Sequence, residues 1–321
     1  MTSNDALATV VAPLGRLVEA EQLTGGMFAT TYRVTLDDGR RVVVKTAPTD
    51  THKLLTYEHD LLRTEALVYG LADGRPELLM PTVLLTDYTR AVLPSDVLVV
   101  SHLPGTPMLD ADLAGDEVRT HRLETDLGAY LARQHTLTAT RFGYPNAEAG
   151  LQADTWPEAF ALVIEALLAD AERWGTVLPV DEIRAALTRH ADALAAVTTP
   201  VLVHTDLWPG NLFVDPATGE LVGVIDTERA LWGDPLFDLV GADPMWDGVS
   251  ERLLAGYARE SGATWDIAVP DAATRLLLYR VLMALVMKVE TAPRAYEGDW
   301  VADFVARYER NLARALAELA S

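Results

Sequence analysis

Two aspartates, an asparagine and a histidine fall within one stretch, Val201 to Asp238, at spacings that suit chemistry. His204, Asp206 and Asn211 follow the apolar run Val201-Leu202-Val203 and surround a Trp-Pro-Gly turn. A later apolar run, Leu221 to Ile225, delivers Asp226 at its end. Two carboxylates and a carboxamide at strand ends are hard oxygen donors, the kind that hold Mg²⁺ together with substrate phosphates. The same residue types also favour turns, so a second group of residues has to support the chemistry. Lys45 belongs to that group. It ends the β-branched run Val42-Val43-Val44 in a chain whose only other lysines are Lys53 and Lys288. At a strand end it can act as a point charge on nucleotide phosphates. A cationic grip, a divalent metal and a carboxylate to orient an attacking hydroxyl are what phosphoryl transfer requires.

The elements that must place these residues are readable from periodicity. A short leading helix is expected within 5–20. The region 17–46 predicts a three-strand meander, with Asp38-Gly39 as a hairpin turn and Gly25-Gly26 in the first turn. Backbone N–H groups at Gly25 and Gly26 can cradle phosphates, although two glycines in a hairpin loop also serve simply as a turn. Residues 52–72 carry apolar residues at helical spacing. Glu58 and Glu65 lie one heptad apart there, and either can pair with Lys45; Glu65, deeper in the pattern, is preferred. Strands are expected around 82–86 and 97–103. Pro104-Gly105-Thr106-Pro107 then breaks the chain, which predicts domains of 1–103 and 104–321. Pockets favour such boundaries, and the backbone of Ser101, His102 and Leu103 is the expected contact for a purine edge. Beyond residue 105 the pattern is mainly helical, with helices expected over 117–138, 154–174, 181–197, 249–262, 270–292 and 299–319 and a helical segment starting at Pro235. His135 and Asp238 read as structural.

The His-x-Asp-x-x-x-x-Asn spacing of His204, Asp206 and Asn211 matches a kinase catalytic loop. His204-Thr205-Asp206-Leu207-Trp208-Pro209-Gly210-Asn211, followed by Val224-Ile225-Asp226-Thr227-Glu228, resembles the aminoglycoside phosphotransferase family, which is related to choline kinases and protein kinases. The element Gly233-Asp234-Pro235-Leu236-Phe237-Asp238-Leu239 is similar to that family's as well. Thr205 stands where the family often has Gly. The resemblance implies an α+β, two-lobed protein-kinase-like fold, with an antiparallel sheet and one main helix in the first lobe and a mainly helical second lobe. It implies Asp206 as the catalytic carboxylate, Asn211 and Asp226 as Mg²⁺ ligands, and Lys45 on the phosphates of ATP or GTP, held by Glu65. His204 is implied to support the loop.

Only seven residues separate Asp226 from Asp234, leaving no room for a long activation segment, and Thr227-Glu228 replaces Phe-Gly after the metal aspartate. A small-molecule acceptor is therefore expected: an aminoglycoside or other antibiotic first, a sugar or choline-like metabolite second, with a non-catalytic nucleotide-binding module as the remaining alternative. Carboxylates suited to an amine-bearing acceptor are Glu228, Asp234, Glu290, Glu297 and Asp299, with Trp208, Trp232 and Trp300 as stacking walls. The chain of 321 residues carries 47 acidic against 26 basic side chains, a net charge of −21. Such a field repels nucleic acid and anionic membranes. With no cysteine, disulfides and thiolate chemistry are excluded. No basic run precedes the first apolar residues, and the longest apolar stretch, Leu276 to Val289, is broken by Arg280 and Lys288. A cytoplasmic location is the expectation.

Overall fold

The structure is a computed structural model that describes residues 3–24, 28–113 and 115–321. Gly25 and Gly26 lie outside the described residues. The strands are β1 (Leu17–Leu23), β2 (Thr30–Leu36), β3 (Arg41–Thr46), β4 (Val83–Asp87), β5 (Val97–Ser101) and β6 (Thr106–Pro107). Further along come β7 (Phe142–Gly143), β8 (Gln152–Ala153), β9 (Val201–Val203), β10 (Leu212–Val214), β11 (Leu221–Val224) and β12 (Leu231–Gly233). The helices begin with α1 (Asn4–Val11), α2 (Leu61–Leu71), α3 (Glu117–Gln134), α4 (Trp156–Trp174), α5 (Val180–Arg189) and α6 (Ala191–Ala195). They end with α7 (Phe237–Gly241), α8 (Glu251–Ser261), α9 (Pro270–Val289), α10 (Thr291–Arg294) and α11 (Trp300–Ala320).

The chain divides into two compact units that interleave in sequence. The first holds residues 1–51, 60–120 and 209–228; the second holds 52–59, 121–208 and 229–321. A single boundary at 103/104 follows chain order, whereas the compact units exchange segments: the β10–β11 hairpin belongs with the first unit and residues 52–59 with the second.

The first unit is built on an antiparallel sheet ordered β1-β2-β3-β5-β4. Its strands alternate: Tyr32, Val34 and Leu36 of β2 are buried between half-buried neighbours. They pack with Val42, Val44, Val97 and Val99 and with Leu7, Val10 and Val11 of α1. Leu62 and Tyr69 of α2 cover the other face through Leu98 and Val100. The expected helix over 52–72 is corrected. Residues 51–58 form two 3-10 turns, Asp60 takes a left-handed φ of 61°, and the helix starts only at Leu61. Glu58 and Glu65 therefore do not share a helix; Glu58 sits in the second unit and Glu65 in the first.

In the second unit α9 is buried over most of its length, with Leu278 to Val286 all inside. A helix that is apolar on every side belongs at the centre of a core. An aromatic cluster of Trp156, Phe160, Phe237 and Tyr279 packs there, and the Trp156 indole N–H donates to the Tyr279 hydroxyl at 2.9 Å. Helices α3 and α8 approach closely through facing glycines. A Cβ on Gly128 would stand 2.0 Å from the Leu253 carbonyl oxygen, and one on Gly256 would stand 2.1 Å from that of Thr125. The expected helix over 181–197 is interrupted at His190, separating α5 from α6. A short antiparallel sheet ordered β8-β7-β12-β9 completes this unit.

Candidate active site

In the first unit, β3 carries Lys45 to the interior. Lys45 is buried, and its Nζ donates to Glu65 Oε1 at 2.6 Å and, by a short hydrogen bond, to Asp226 Oδ1. Tyr69, one turn along α2 from Glu65, ties the group together. Its hydroxyl donates to Glu65 Oε1 at 2.6 Å and accepts the backbone N–H of Asp226 at 3.0 Å. Tyr69 has no counterpart among the residues singled out from the sequence; a tyrosine four residues after a pairing glutamate is the signal that could have found it. Asp226 leaves β11 with a left-handed φ of 66°, a conformation that Asp tolerates better than most residues. Burial alone would lower the proton affinity of Lys45, but the Asp226 and Glu65 carboxylates outweigh it and hold the ammonium protonated. Burial raises the Glu65 carboxyl above its ordinary value against the opposing pull of Lys45.

The hairpin of β10 and β11 places Asn211 and Asp226 at its open end. Leu212 pairs with Val224, and the Ile225 N–H donates to the Asn211 carbonyl at 3.0 Å. Asp215 closes the loop by accepting the N–H of Ala217 at 2.8 Å. Asn211 is buried at this strand start. Carboxylate oxygens of Glu65, Asp226 and Glu228 lie within 4.8 Å of one another. Glu65 Oε2 is buried without a hydrogen-bond partner. The donor set is all hard oxygen, so the residues present fit a divalent Mg²⁺-type ion.

The expected purine-contact segment lies at the end of β5. The Ser101 N–H is already committed to the Thr82 carbonyl at 2.9 Å, so Ser101 does not offer it to a ligand. His102 and Leu103 follow the strand's last residue. Leu103 packs toward Gly223, where a Cβ would come within 2.7 Å of Leu103 Cδ1.

In the second unit, β9 delivers the loop that holds Asp206. Asp206 is half-buried, between buried Thr205 and Leu207. Its N–H points at His204 Nδ1, 3.3 Å away. Asp238 holds this loop from α7. One of its oxygens accepts the N–H groups of His204 (2.9 Å) and Thr205 (2.8 Å); the other accepts Gln134 Nε2 at 2.8 Å and lies 3.0 Å from His135 Nε2. His135 and Asp238 thus have the structural place expected of them. Thr205 takes a left-handed φ of 68°, which explains why a glycine suits that position. Its Oγ1 donates to the Arg229 carbonyl at 3.3 Å.

Several residues named as acceptor contacts are held by partners within the fold. Asp234 is buried and bound by Arg275 Nε at 2.7 Å and the Tyr279 hydroxyl at 2.6 Å. Glu290 is buried between Arg229 (2.7 Å) and Arg294 (3.2 Å). Glu58, the other candidate for Lys45, instead pairs with Arg294 and accepts the Leu55 N–H at 2.8 Å. Trp232 is a sheet residue, paired with Leu202 and Gly143. Glu228 belongs to the carboxylate group of the first unit. Trp208 is half-buried, and Glu297, Asp299 and Trp300 are exposed. Arg229, Arg294, Tyr296 and Tyr308 join this neighbourhood unanticipated, because their packing depends on which helices meet rather than on local spacing.

A sequence model of the phosphotransferase enzyme family matches residues 19–272. Among curated proteins, the chain is 28% identical over 229 residues to acyl-CoA dehydrogenase family member 10 of Mus musculus, a match over 69% of this chain and 20% of that protein. The chain therefore spans about a fifth of the length of that relative. Among solved structures, a provisionally named fructosamine-3-kinase from Thermobifida fusca YX-ER1 superposes with a TM-score of 0.70 at 22% identity, over 99% of each chain. A thermostable mutant of the aminoglycoside phosphotransferase APH(4)-Ia, in ternary complex with AMP-PNP and hygromycin B, superposes with a TM-score of 0.63 at 17% identity, over 98% of each. At these identities the likeness establishes the fold, which is α+β and protein-kinase-like. With most of its length matched by the family model, this chain belongs to the phosphotransferase enzyme family.

Proposed function

We propose that this protein transfers the γ-phosphate of ATP or GTP to a hydroxyl group of a small molecule. The observation that carries this reading is Lys45, buried and fixed between Glu65 and Asp226. A lysine so held is a preformed cationic grip, and the cost of burying it is met by partners already in place. In this reading Lys45 binds nucleotide phosphates, and Glu65 and Tyr69 fix its position. Asn211 and Asp226 would hold Mg²⁺, with Glu228 beside them. When bound, Mg²⁺ supplies neutralisation of charge on the phosphate oxygens.

Asp206 orients the acceptor hydroxyl and takes its proton. The acceptor oxygen bonds to the γ-phosphorus as the bond from phosphorus to the β–γ bridging oxygen breaks. The nucleoside diphosphate leaves with that electron pair. Asp238 keeps the Asp206 loop in register through the His204 and Thr205 N–H groups. Family membership and the ordered set Lys45, Glu65, Asp206, Asn211 and Asp226 support catalysis over passive nucleotide binding.

The first acceptor class is an antibiotic-like amino sugar or amino alcohol, aminoglycosides among them. The likeness to a fructosamine-3-kinase favours a ketoamine sugar as the second. A phosphate-transfer screen with both nucleotides against antibiotics, amino sugars and ketoamine sugars tests the reading. Transfer to at least one hydroxyl is expected. Nucleotide binding with no transfer to any acceptor would return the protein to a binding module.

A further inference from the structure

Strand β11 lies at the edge of its sheet, in the order β11-β10-β6, so every second backbone N–H points away from β10. Ile225 faces inward and donates to the Asn211 carbonyl at 3.0 Å. Val224 and Asp226 face outward, and such edge donors need acceptors from elsewhere in the fold. The segment that begins with α2 provides both. Val224 donates to the Leu79 carbonyl at 2.9 Å, and Asp226 donates to the Tyr69 hydroxyl at 3.0 Å. The first acceptor is backbone and anchors the hairpin without any side chain. The second is a side chain, and it acts at the residue proposed to hold Mg²⁺.

Tyr69 has two separable parts. Its ring packs with Leu62, Leu98 and Val100. Its hydroxyl has one hydrogen to give and lone pairs to receive. The hydrogen goes to Glu65 Oε1 at 2.6 Å, the same oxygen that takes Lys45 Nζ at 2.6 Å. A lone pair receives the Asp226 N–H. Lys45 Nζ also donates to Asp226 Oδ1, so the four residues close a ring of hydrogen bonds. All four belong to the first unit. Asp226, with its left-handed φ of 66°, is thereby tied at two points. The Lys45 tie engages the carboxylate, which a metal ion also needs. The Tyr69 tie engages the main chain and leaves the carboxylate to the ion. A buried tyrosine hydroxyl generally finds some partner; core packing does not require that partner to be the backbone of a proposed metal ligand.

We infer that Tyr69 is a positioning residue: its hydroxyl holds the Asp226 main chain so that the Asp226 carboxylate meets the divalent ion that accompanies the nucleotide. This rests on the phosphoryl-transfer reading above and adds to it a residue that acts through Asp226. The test is calorimetric titration of the full chain with the non-hydrolysable analogues AMP-PNP and GMP-PNP, once in excess Mg²⁺ and once in EDTA, for the wild type and Tyr69→Phe. The ratio of the two dissociation constants measures how much the metal strengthens binding. Tyr69→Phe keeps the ring and the Lys45–Glu65 pair, so it should fold and keep its affinity in EDTA. The strengthening by Mg²⁺ should fall about three- to tenfold, the usual effect of losing one hydrogen bond. The Mg²⁺ concentration for half-maximal phosphate transfer should rise by a similar factor. Equal strengthening in both proteins overturns the inference and leaves phosphoryl transfer standing. So does an affinity loss that is the same in Mg²⁺ and in EDTA, or a melting curve that shows the variant unfolded in the assay, because either result assigns the hydroxyl to general stability. A wild type that gains no affinity from Mg²⁺ with either analogue and transfers phosphate to no acceptor overturns the phosphoryl-transfer reading itself, and this inference with it.

Discussion

Thr205 and Asp226 each take a backbone conformation that most side chains avoid, with φ of 68° and 66°. Both flank the chemistry, one beside Asp206 and one as the proposed metal ligand. For a β-branched residue the left-handed region costs about 1–2 kcal/mol. The structure holds Thr205 there through its N–H bond to Asp238 and its hydroxyl bond to the Arg229 carbonyl. A comparison of two variants isolates the backbone cost, since neither keeps the hydroxyl. Thr205→Gly should be more stable than Thr205→Ala by about 1 kcal/mol, the reverse of the usual order of these residues. Thermal melting of both proteins measures it; a more stable alanine variant would show that the loop relaxes out of this conformation. The sequence alone marks Thr205 as a departure from the family's glycine, but only the backbone gives the reason. Lys45, Asp206, Asn211 and Asp226 could be proposed from the sequence because residue type and spacing restrict them strongly. Tyr69 was not, because a helix tyrosine has many ordinary uses.

At the scale of elements, β9 and α7 act together. Asp238 is fully buried, and the end of α3 and the β9 loop converge on its carboxylate through Gln134, His135, His204 and Thr205. Removing it leaves several buried donors without an acceptor, each costing about 1–3 kcal/mol. Asp238→Ala should therefore lose about 3–5 kcal/mol of stability and, at temperatures where it stays folded, lose kcat more than it gains KM. Denaturant melts and steady-state kinetics check the two parts; a variant of normal stability would mean that other contacts hold the loop. The meander β1–β3 and the long helices were readable from residue type, turn signals and helical periodicity. What escaped was set by distant partners. The helix expected over 52–72 breaks because Thr56 is held by the Asp170 carboxylate and Leu54 by Arg173, over a hundred residues away. Strand β12, Leu231-Trp232-Gly233, has no β-branched residue to announce it. Once the break at Asp60 is known, the choice between Glu58 and Glu65 follows directly: Glu65 pairs with Lys45 and Glu58 with Arg294.

For the whole molecule, the two compact units exchange chain segments, so the proposed nucleotide-holding residues Lys45, Glu65, Asn211 and Asp226 all fall in one of them although they span most of the sequence. Linear order could not reveal this grouping. Among the described residues no helix is long and apolar enough to cross a membrane. In the first unit, Asp96 makes stability depend on pH at a specific site. Asp96 is buried, which alone would raise its pKa, but hydrogen bonds from Arg63 and Arg90 outweigh this and hold it below the ordinary 3.8. A carboxyl lowered in the folded state stabilises above its unfolded value, and that contribution is lost as pH falls through the folded value. Asp96→Asn should therefore lower stability at pH 7 while narrowing the gap to the wild type as pH drops below about 4, measurable by melting at each pH. A gap that stays constant with pH would exclude this origin. The central claim, that the chain transfers phosphate with Asp206 as the proton acceptor, is tested most directly by following labelled γ-phosphate into an acceptor for the wild type and Asp206→Ala. Transfer by the wild type and a loss of kcat on the order of 10²-fold or more in the variant, with nucleotide affinity retained, are expected. Near-normal turnover by Asp206→Ala would contradict it.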